Sequence, residues 1–304
     1  MENTFRAHGK LLLTGEYAIM YGAEGLALPL NRFQEMHVVK KKEQQPQLHW
    51  KAYDINGLWF DALWQLPYLT PVRTSDAEKS NHVVKIIKAI RDENPLFLMD
   101  GFSYVTTHFC NFNIYWGLGS SATLLVNLCR WAGVDPFRIY FKLYRGSGYD
   151  IASAISPTPL LYSVHNNQPR VQPVAYQPPF IDQMLLIYSG RKRNTIEAIE
   201  RTSVFDTKII ERISQLTRSF IEVNNVSDCM RLVEEHETLI AQQIGEQPIK
   251  AKLFADFPGQ IKSLGAWGGD FWLAISEMQP EKVTTYFNSK GFQTVLPLKN
   301  FLTT

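Results

Sequence analysis

Apolar positions in the first third of the chain come in short runs broken by turn residues: KLLLTG, GLALPL, MHVVKKK, PQLHWKAY and GLWFDAL. Runs of this length predict strands, and their close spacing predicts a meander. From Asp76 to Asp92 the period changes. Val83, Val84, Ile86, Ile87 and Ile90 fall on one helical face behind Ser75 or Asp76 as a cap, so a helix is expected there. The strand GFSYVTTHF comes next, followed by a stretch rich in glycine and serine. TLLVNLCRWAG then predicts a helix that Gly133 ends. Asp135-Pro136, a cap followed by proline at the first helical position, starts another.

Prolines cluster between Pro157 and Pro179, and the segment reads as an edge strand and a connection. A domain boundary near its end gives residues 1–178 and 179–304. The second half opens on a buried strand, QMLLIYSG, and continues through helices around 205–222 and 228–244. AWGGDFWLAIS, a helix near 280–290 and the strand FQTVLPL close it. Strands and helices mixed in this way, with antiparallel-looking runs, predict an α+β architecture rather than a doubly wound parallel sheet.

A length of 304 residues suits two domains, and 45% hydrophobic with 20% charged residues describes an ordinary soluble globular chain. The net charge of +2 argues against wholesale nucleic-acid or membrane binding and leaves any basic function to a local cluster. Cys110, Cys129 and Cys229 are irregularly spaced, which points to a reducing compartment and to neither a disulfide framework nor a zinc site. With no apolar signal segment and no run near about 18 apolar residues, the expected location is cytoplasmic.

The stretch WGLGSSATLL, residues 116–125, places Gly117, Gly119, Ser120 and Ser121 where a helix should start. A helix leaves its first N–H groups unpaired and its N-terminal end partly positive, so a glycine-rich approach lets an anion come close. The alternative is a serine-capped core helix behind a glycine turn. No Gly-Lys-Ser/Thr follows, so this is not a Walker A loop, and no GxGxxG fingerprint is present.

Together with two other stretches, GLGSSA resembles the second motif of the GHMP kinases, the superfamily of galactokinase, homoserine kinase, mevalonate kinase and phosphomevalonate kinase. AHGKLLLTGEYAIMYG, residues 7–22, resembles the first motif, and SLGAWGGDFWLAI, residues 263–275, the third. With GSGYDIAS, residues 146–153, the resemblance covers most of the chain in the family's order. It implies an N-terminal domain like ribosomal protein S5 domain 2, a ferredoxin-like C-terminal domain, and ATP with Mg2+ as cofactors. Gly117, Leu118, Gly119, Ser120, Ser121 and Ala122 would bind the ATP phosphates, with Ser121 reaching the metal. Asp150 would be the catalytic base, and Lys10 would lie near it and the transferred phosphate. A nearby cation holds a carboxylate ionised and stabilises charge on phosphoryl oxygens. Without that context Asp150 reads equally well as a helix N-cap.

The resemblance also assigns Gly265, Ala266, Gly268, Gly269 and Asp270 to the third-motif loop, and Glu16, Tyr17, Ser147 and Gly148 to substrate binding. GEYA and GGD are the forms that phosphomevalonate kinases carry, whereas Trp267 replaces a usual glycine. Mevalonate kinases place a magnesium-binding glutamate about eleven residues before the aspartate, where this chain has Ile139. Arg191, Lys192 and Arg193 precede an expected helix and suit an anionic acceptor, or else form a solvated basic loop. The expected activity is a kinase acting on phosphomevalonate, then mevalonate, as a monomer or homodimer. A sugar kinase and a non-catalytic nucleotide-binding homologue stay as alternatives.

Overall fold

The computed structural model describes residues 2–190, 205–265, 267 and 269–303. Its chain divides into two units. One contains Met1–Gly9, Arg32–Ile114 and Leu118–Ile155, the other Lys10–Asn31, Tyr115–Gly117 and Ser156–Thr304. Two strands, β1 (Glu2–Leu12) and β2 (Gly25–Lys41), supply residues to both. GLALPL and MHVVKKK, expected as two strands, are one, because no turn pair separates them. Pro29 is tolerated since it falls between the ladder to β7, Gly25–Ala27, and the ladder to β6, Gln34–Lys41.

In the first unit, β3 (Gln47–Asp54), β4 (Gly57–Gln65) and β5 (Thr70–Thr74) form the expected meander. β2 does not join it. β6 (Ser103–Cys110) lies between β2 and β3, antiparallel to the first and parallel to the second. A parallel pair needs a long crossover, which β4, β5 and α1 (Ala77–Glu93) provide. The Asp76 carboxylate caps α1 by accepting from the Lys79 N–H at 3.0 Å, and Pro95 follows its end. Val83, Ile86, Ile87 and Ile90 are buried against the sheet residues Met36, Trp50 and Trp64 in one cluster. Each such side chain contributes roughly 1.5–3 kcal/mol by leaving water.

Three shorter helices complete this unit: α2 (Ser120–Ala132), α3 (Pro136–Leu143) and α4 (Tyr149–Ile155). Gly133 ends α2, and Asp135 caps α3 ahead of its proline, both as the sequence predicts. α2 is fixed to β2 at one residue. Thr123 Oγ1 donates to Gln34 Oε1 at 2.7 Å and Asn127 Nδ2 to the Gln34 carbonyl at 3.0 Å. These buried hydrogen bonds set the position of α2 against β2.

In the second unit, β7 (Leu160–His165) and β8 (Gln168–Pro173) form a hairpin where one edge strand was expected. Asn166 and Asn167 both have positive φ, 50° and 58°, the conformation of a tight hairpin turn that asparagine tolerates. A four-stranded antiparallel sheet has the order β10-β11-β9-β12, from β9 (Met184–Tyr188), β10 (Gln260–Ser263), β11 (Phe271–Ile275) and β12 (Val295–Pro297). Every residue of β11 is buried, because Trp272 and Ala274 face a cluster with Phe254, Phe257, Val283 and Phe287. The helices among the described residues are α5 (Thr207–Glu222), α6 (Val226–Ile244), α7 (Ile249–Leu253) and α8 (Pro280–Ser289). Ile213 of α5 and Ile240 of α6 pack with Tyr17 and Trp267. No described helix is long and apolar enough to cross a membrane. The architecture is α+β, as the order of elements predicts.

Candidate active site

The glycine-serine stretch becomes a loop running into α2. Gly119 is the N-cap residue, at φ 98°, and no side chain caps the helix among the described residues. The leading N–H groups of α2 are therefore left for an outside acceptor, with the partial positive charge of the helix end behind them. Leu118 and Ala122 are buried and anchor the loop, while the Ser121 residue is exposed in the first turn. The helix is thus not serine-capped, against the alternative that the sequence left open.

Gly117, in the second unit, has φ +65°. A Cβ built there would lie 1.8 Å from Oδ2 of Asp270, so the third-motif carboxylate fills the space that a side chain would take. Lys10 Nζ donates to the Gly117 carbonyl at 2.9 Å. Lys10, Gly117 and Asp270 thus bring all three glycine-bearing motifs together at one residue. Ser189 holds the end of the third loop, with its hydroxyl on the Gly269 carbonyl at 2.5 Å and its N–H on the Asp270 carbonyl at 2.9 Å. Trp116 packs on Tyr188, Phe271 and Phe301, which fixes the approach to Gly117.

Asp150 lies in the other unit, half-buried in the first turn of α4, where Oδ1 accepts from the Ile151 N–H at 3.1 Å. It is inside the helix rather than before it, which differs from an N-cap position. Its charge, after burial, helps push the Tyr144 hydroxyl up to about 12. Ser147 and Gly148 are buried just before it. Ile139 is wholly buried in the apolar core, so α3 presents packing at that place, not a vacant ligand position.

Among the described residues no group of three His, Cys, Asp or Glu side chains is arranged to hold a metal. The donor chemistry fits a magnesium ion carried by a nucleotide. Such an ion keeps most of its water and phosphate ligands and takes one or two from protein, which the exposed first turn at Ser121 can supply. Arg191, Lys192, Arg193, Ala266 and Gly268 lie outside the described residues.

Glu16 and Tyr17, expected at the substrate, sit in a buried polar cluster whose other members the sequence does not reveal. Lys262 on β10 is wholly buried, and its Nζ donates to Glu16 Oε1 at 2.6 Å, Glu237 Oε1 at 3.3 Å and the Ser263 carbonyl at 3.2 Å. Glu237 Oε2 accepts from the Ser263 N–H at 3.1 Å, and its Oε1 accepts from the Trp267 indole N–H at 3.3 Å. The Trp267 backbone N–H donates to the Tyr17 hydroxyl at 2.9 Å. His236 Nε2 accepts from the Gly15 N–H at 3.0 Å, which assigns the ring proton to Nδ1 and makes the ring neutral. Burial, with the Lys262 charge adding to it, holds His236 well below the usual histidine range.

One lysine thus faces two carboxylates in a wholly buried site. Burial raises the Glu16 carboxyl to about 7, against the lowering effect of Lys262 and with the repulsion of Glu237 behind it. Burial raises Glu237 too, offset in part by Lys262. Between pH 4.5 and about 7 the folded chain holds a proton on Glu16 that the unfolded chain has released, so this carboxyl's contribution to stability falls as pH rises through that window. Urea unfolding of wild type and Glu16→Gln should show wild type losing stability relative to the variant from pH 5 to pH 8. A difference that stays constant across the series would contradict the shifted carboxyl.

No family model matches the sequence, and no curated protein sequence does. Solved structures match over nearly its whole length. The chain is similar to Streptococcus pneumoniae phosphomevalonate kinase in complex with phosphomevalonate and AMPPNP, at 15% identity and a TM-score of 0.72, over 96% of this chain and 99% of that one. It is similar to Leishmania major mevalonate kinase in complex with R-mevalonate, at 15% identity and 0.67, over 96% and 94%. Lactococcus lactis galactokinase complexed with galactose follows at 12% identity and 0.64, over 97% and 92%. The chain has the fold of the GHMP kinases, as its three motifs predict.

Proposed function

We propose that this chain is an ATP-dependent small-molecule kinase that transfers the γ-phosphoryl group to an anionic isoprenoid-pathway acceptor, phosphomevalonate first and mevalonate next. The observation that carries the reading is the uncapped start of α2 behind a loop whose Gly117 meets both Lys10 and Asp270. Phosphoryl transfer asks a protein mainly for positioning and charge stabilisation. The α2 N–H groups and the Ser120 hydroxyl hold phosphate oxygens, and Lys10 stabilises charge on the transferred group. Ser121 would hold magnesium, which supplies further neutralisation of phosphate charge when bound. With an alcohol acceptor, Asp150 takes the hydroxyl proton. With a phosphate acceptor the attacking oxygen is already ionised, and Asp150 orients it instead. Arg191, Lys192 and Arg193 draw the acceptor's anion.

GEYA and GGD support the phosphomevalonate choice. The similarity to a galactokinase keeps a sugar kinase as the second reading, and the apolar Ile139 position keeps a non-catalytic nucleotide-binding homologue. ADP release by purified protein with ATP and magnesium, across mevalonate, phosphomevalonate and neutral sugars, separates them. Turnover confined to the phosphorylated acceptor is expected. Turnover on a neutral sugar alone would replace this reading with the second.

A further inference from the structure

The buried cluster around Lys262 is the part of this unit that the proposed chemistry does not use. Its members come from separate parts of the chain: Glu16 after β1, His236 and Glu237 on α6, Lys262 and Ser263 on β10, and Trp267 in the third loop. Burying a lysine with two carboxylates is a poor way to gain stability, since well-packed apolar side chains of similar size serve as well or better. What such a cluster does supply is geometry. Lys262 has all three donor directions taken.

Glu237 bridges the segment that follows. One oxygen accepts from the Ser263 N–H and the other from the Trp267 indole, so a single carboxylate ties both residues. The Tyr17 hydroxyl fixes the backbone of Trp267, so both N–H groups of this residue are tied to buried partners. A few residues on, the Asp270 side chain lies against Gly117, whose carbonyl receives Lys10.

We propose that Lys262, Glu237 and Trp267 are positioning residues that set the third glycine-rich loop and through it the affinity for nucleotide. The nucleotide half rests on the kinase reading above; the loop half does not. Glu16 and Glu237 compete for the lysine, so the position of Lys262 between them fixes Glu237, and Glu237 fixes Trp267. Lys262 pairs with Glu16 and Glu237, and its charge also acts on His236 beside Glu16, which stays neutral.

Trp267→Phe keeps an aromatic ring and removes the indole N–H together with part of the buried ring's packing. Lys262→Met removes the charge at similar length. Two measurements are made on each folded variant: amide hydrogen exchange at Leu264 and at position 267 by NMR, and the dissociation constant of a non-hydrolysable ATP analogue by calorimetry. Trp267→Phe is expected to speed exchange at position 267 and to weaken the analogue about tenfold, the worth of one hydrogen bond to a charged group. The KM for ATP should rise by the same factor, with the acceptor KM within about twofold.

A purely structural role would lower the active fraction and leave both the dissociation constant and the KM for ATP unchanged, which would overturn the proposal. Unchanged exchange at position 267 would overturn it at the first step. If Lys262→Met does not fold, Trp267→Phe decides alone. If wild type binds no nucleotide, the kinase reading fails and takes the affinity claim with it, while exchange still decides whether the cluster holds the loop.

Discussion

Replacing Asp150 with asparagine is expected to lower kcat by roughly 10²–10⁴-fold while leaving the dissociation constant for an ATP analogue within about twofold, because a positioned acid or base contributes about that much. The asparagine is chosen for what it keeps. Its side-chain oxygen can still accept from the Ile151 N–H, as Asp150 Oδ1 does at 3.1 Å, so the first turn of α4 stays supported. The charge and the ability to take a proton are lost. For an alcohol acceptor the loss should fall at the upper end of the range, since the group that takes the proton is removed. For a phosphate acceptor the loss should fall at the lower end of the range, since orientation rather than deprotonation is removed. Unchanged kcat would reduce Asp150 to a helix-stabilising residue.

Gly117→Ala should be nearly as damaging, but through binding. The new Cβ would lie 1.8 Å from Oδ2 and 2.4 Å from Cγ of Asp270, and the residue would have to hold φ +65°. The left-handed backbone alone costs a residue with a Cβ about 1–2 kcal/mol. The contact forces Asp270 or the loop to move as well, and with it the carbonyl that Lys10 holds. We expect analogue binding weakened on the order of 100-fold, about 2.7 kcal/mol, measured by calorimetry. Pairing the change with Asp270→Ala removes the contact and should recover part of the loss, leaving only the backbone cost. No recovery in the double variant, or wild-type affinity in the single one, would show that Asp270 and Gly117 are not coupled.

The parts of this fold that can be read from sequence are those set by local periodicity and end signals. The face Val83, Ile86, Ile87 and Ile90, the Asp76 cap and Gly133 all act within a few residues of one another. β2 escapes such reading because nothing local joins GLALPL to MHVVKKK. Its continuity depends on β6 and β7, strands far along the chain. The Asn166-Asn167 turn carries a weaker signal than glycine and hides between prolines.

The candidate site divides in the same way. Motif order locates Lys10, the Gly117–Ala122 loop, Asp150 and Asp270, but not what they touch. That Asp270 covers Gly117 follows from two segments about 150 residues apart in sequence, which no spacing rule connects. Lys262 and Glu16 are separated by 246 positions, and a lysine in QIKS looks like a solvated strand residue until its burial is seen. The strand QIKS has one apolar residue, so its pattern gives no sign that Lys262 is buried. Glu237 gives none either, as one of four acids on its helix.

Phosphorus NMR of purified protein with ATP, magnesium and phosphomevalonate tests the central claim most directly. The account predicts that the γ-phosphate signal of ATP is replaced by ADP and by the coupled pair of resonances of a new diphosphate ester, and that Asp150→Asn slows their appearance. An unchanged ATP spectrum with phosphomevalonate, mevalonate and sugars alike, in protein that binds the ATP analogue, would contradict it.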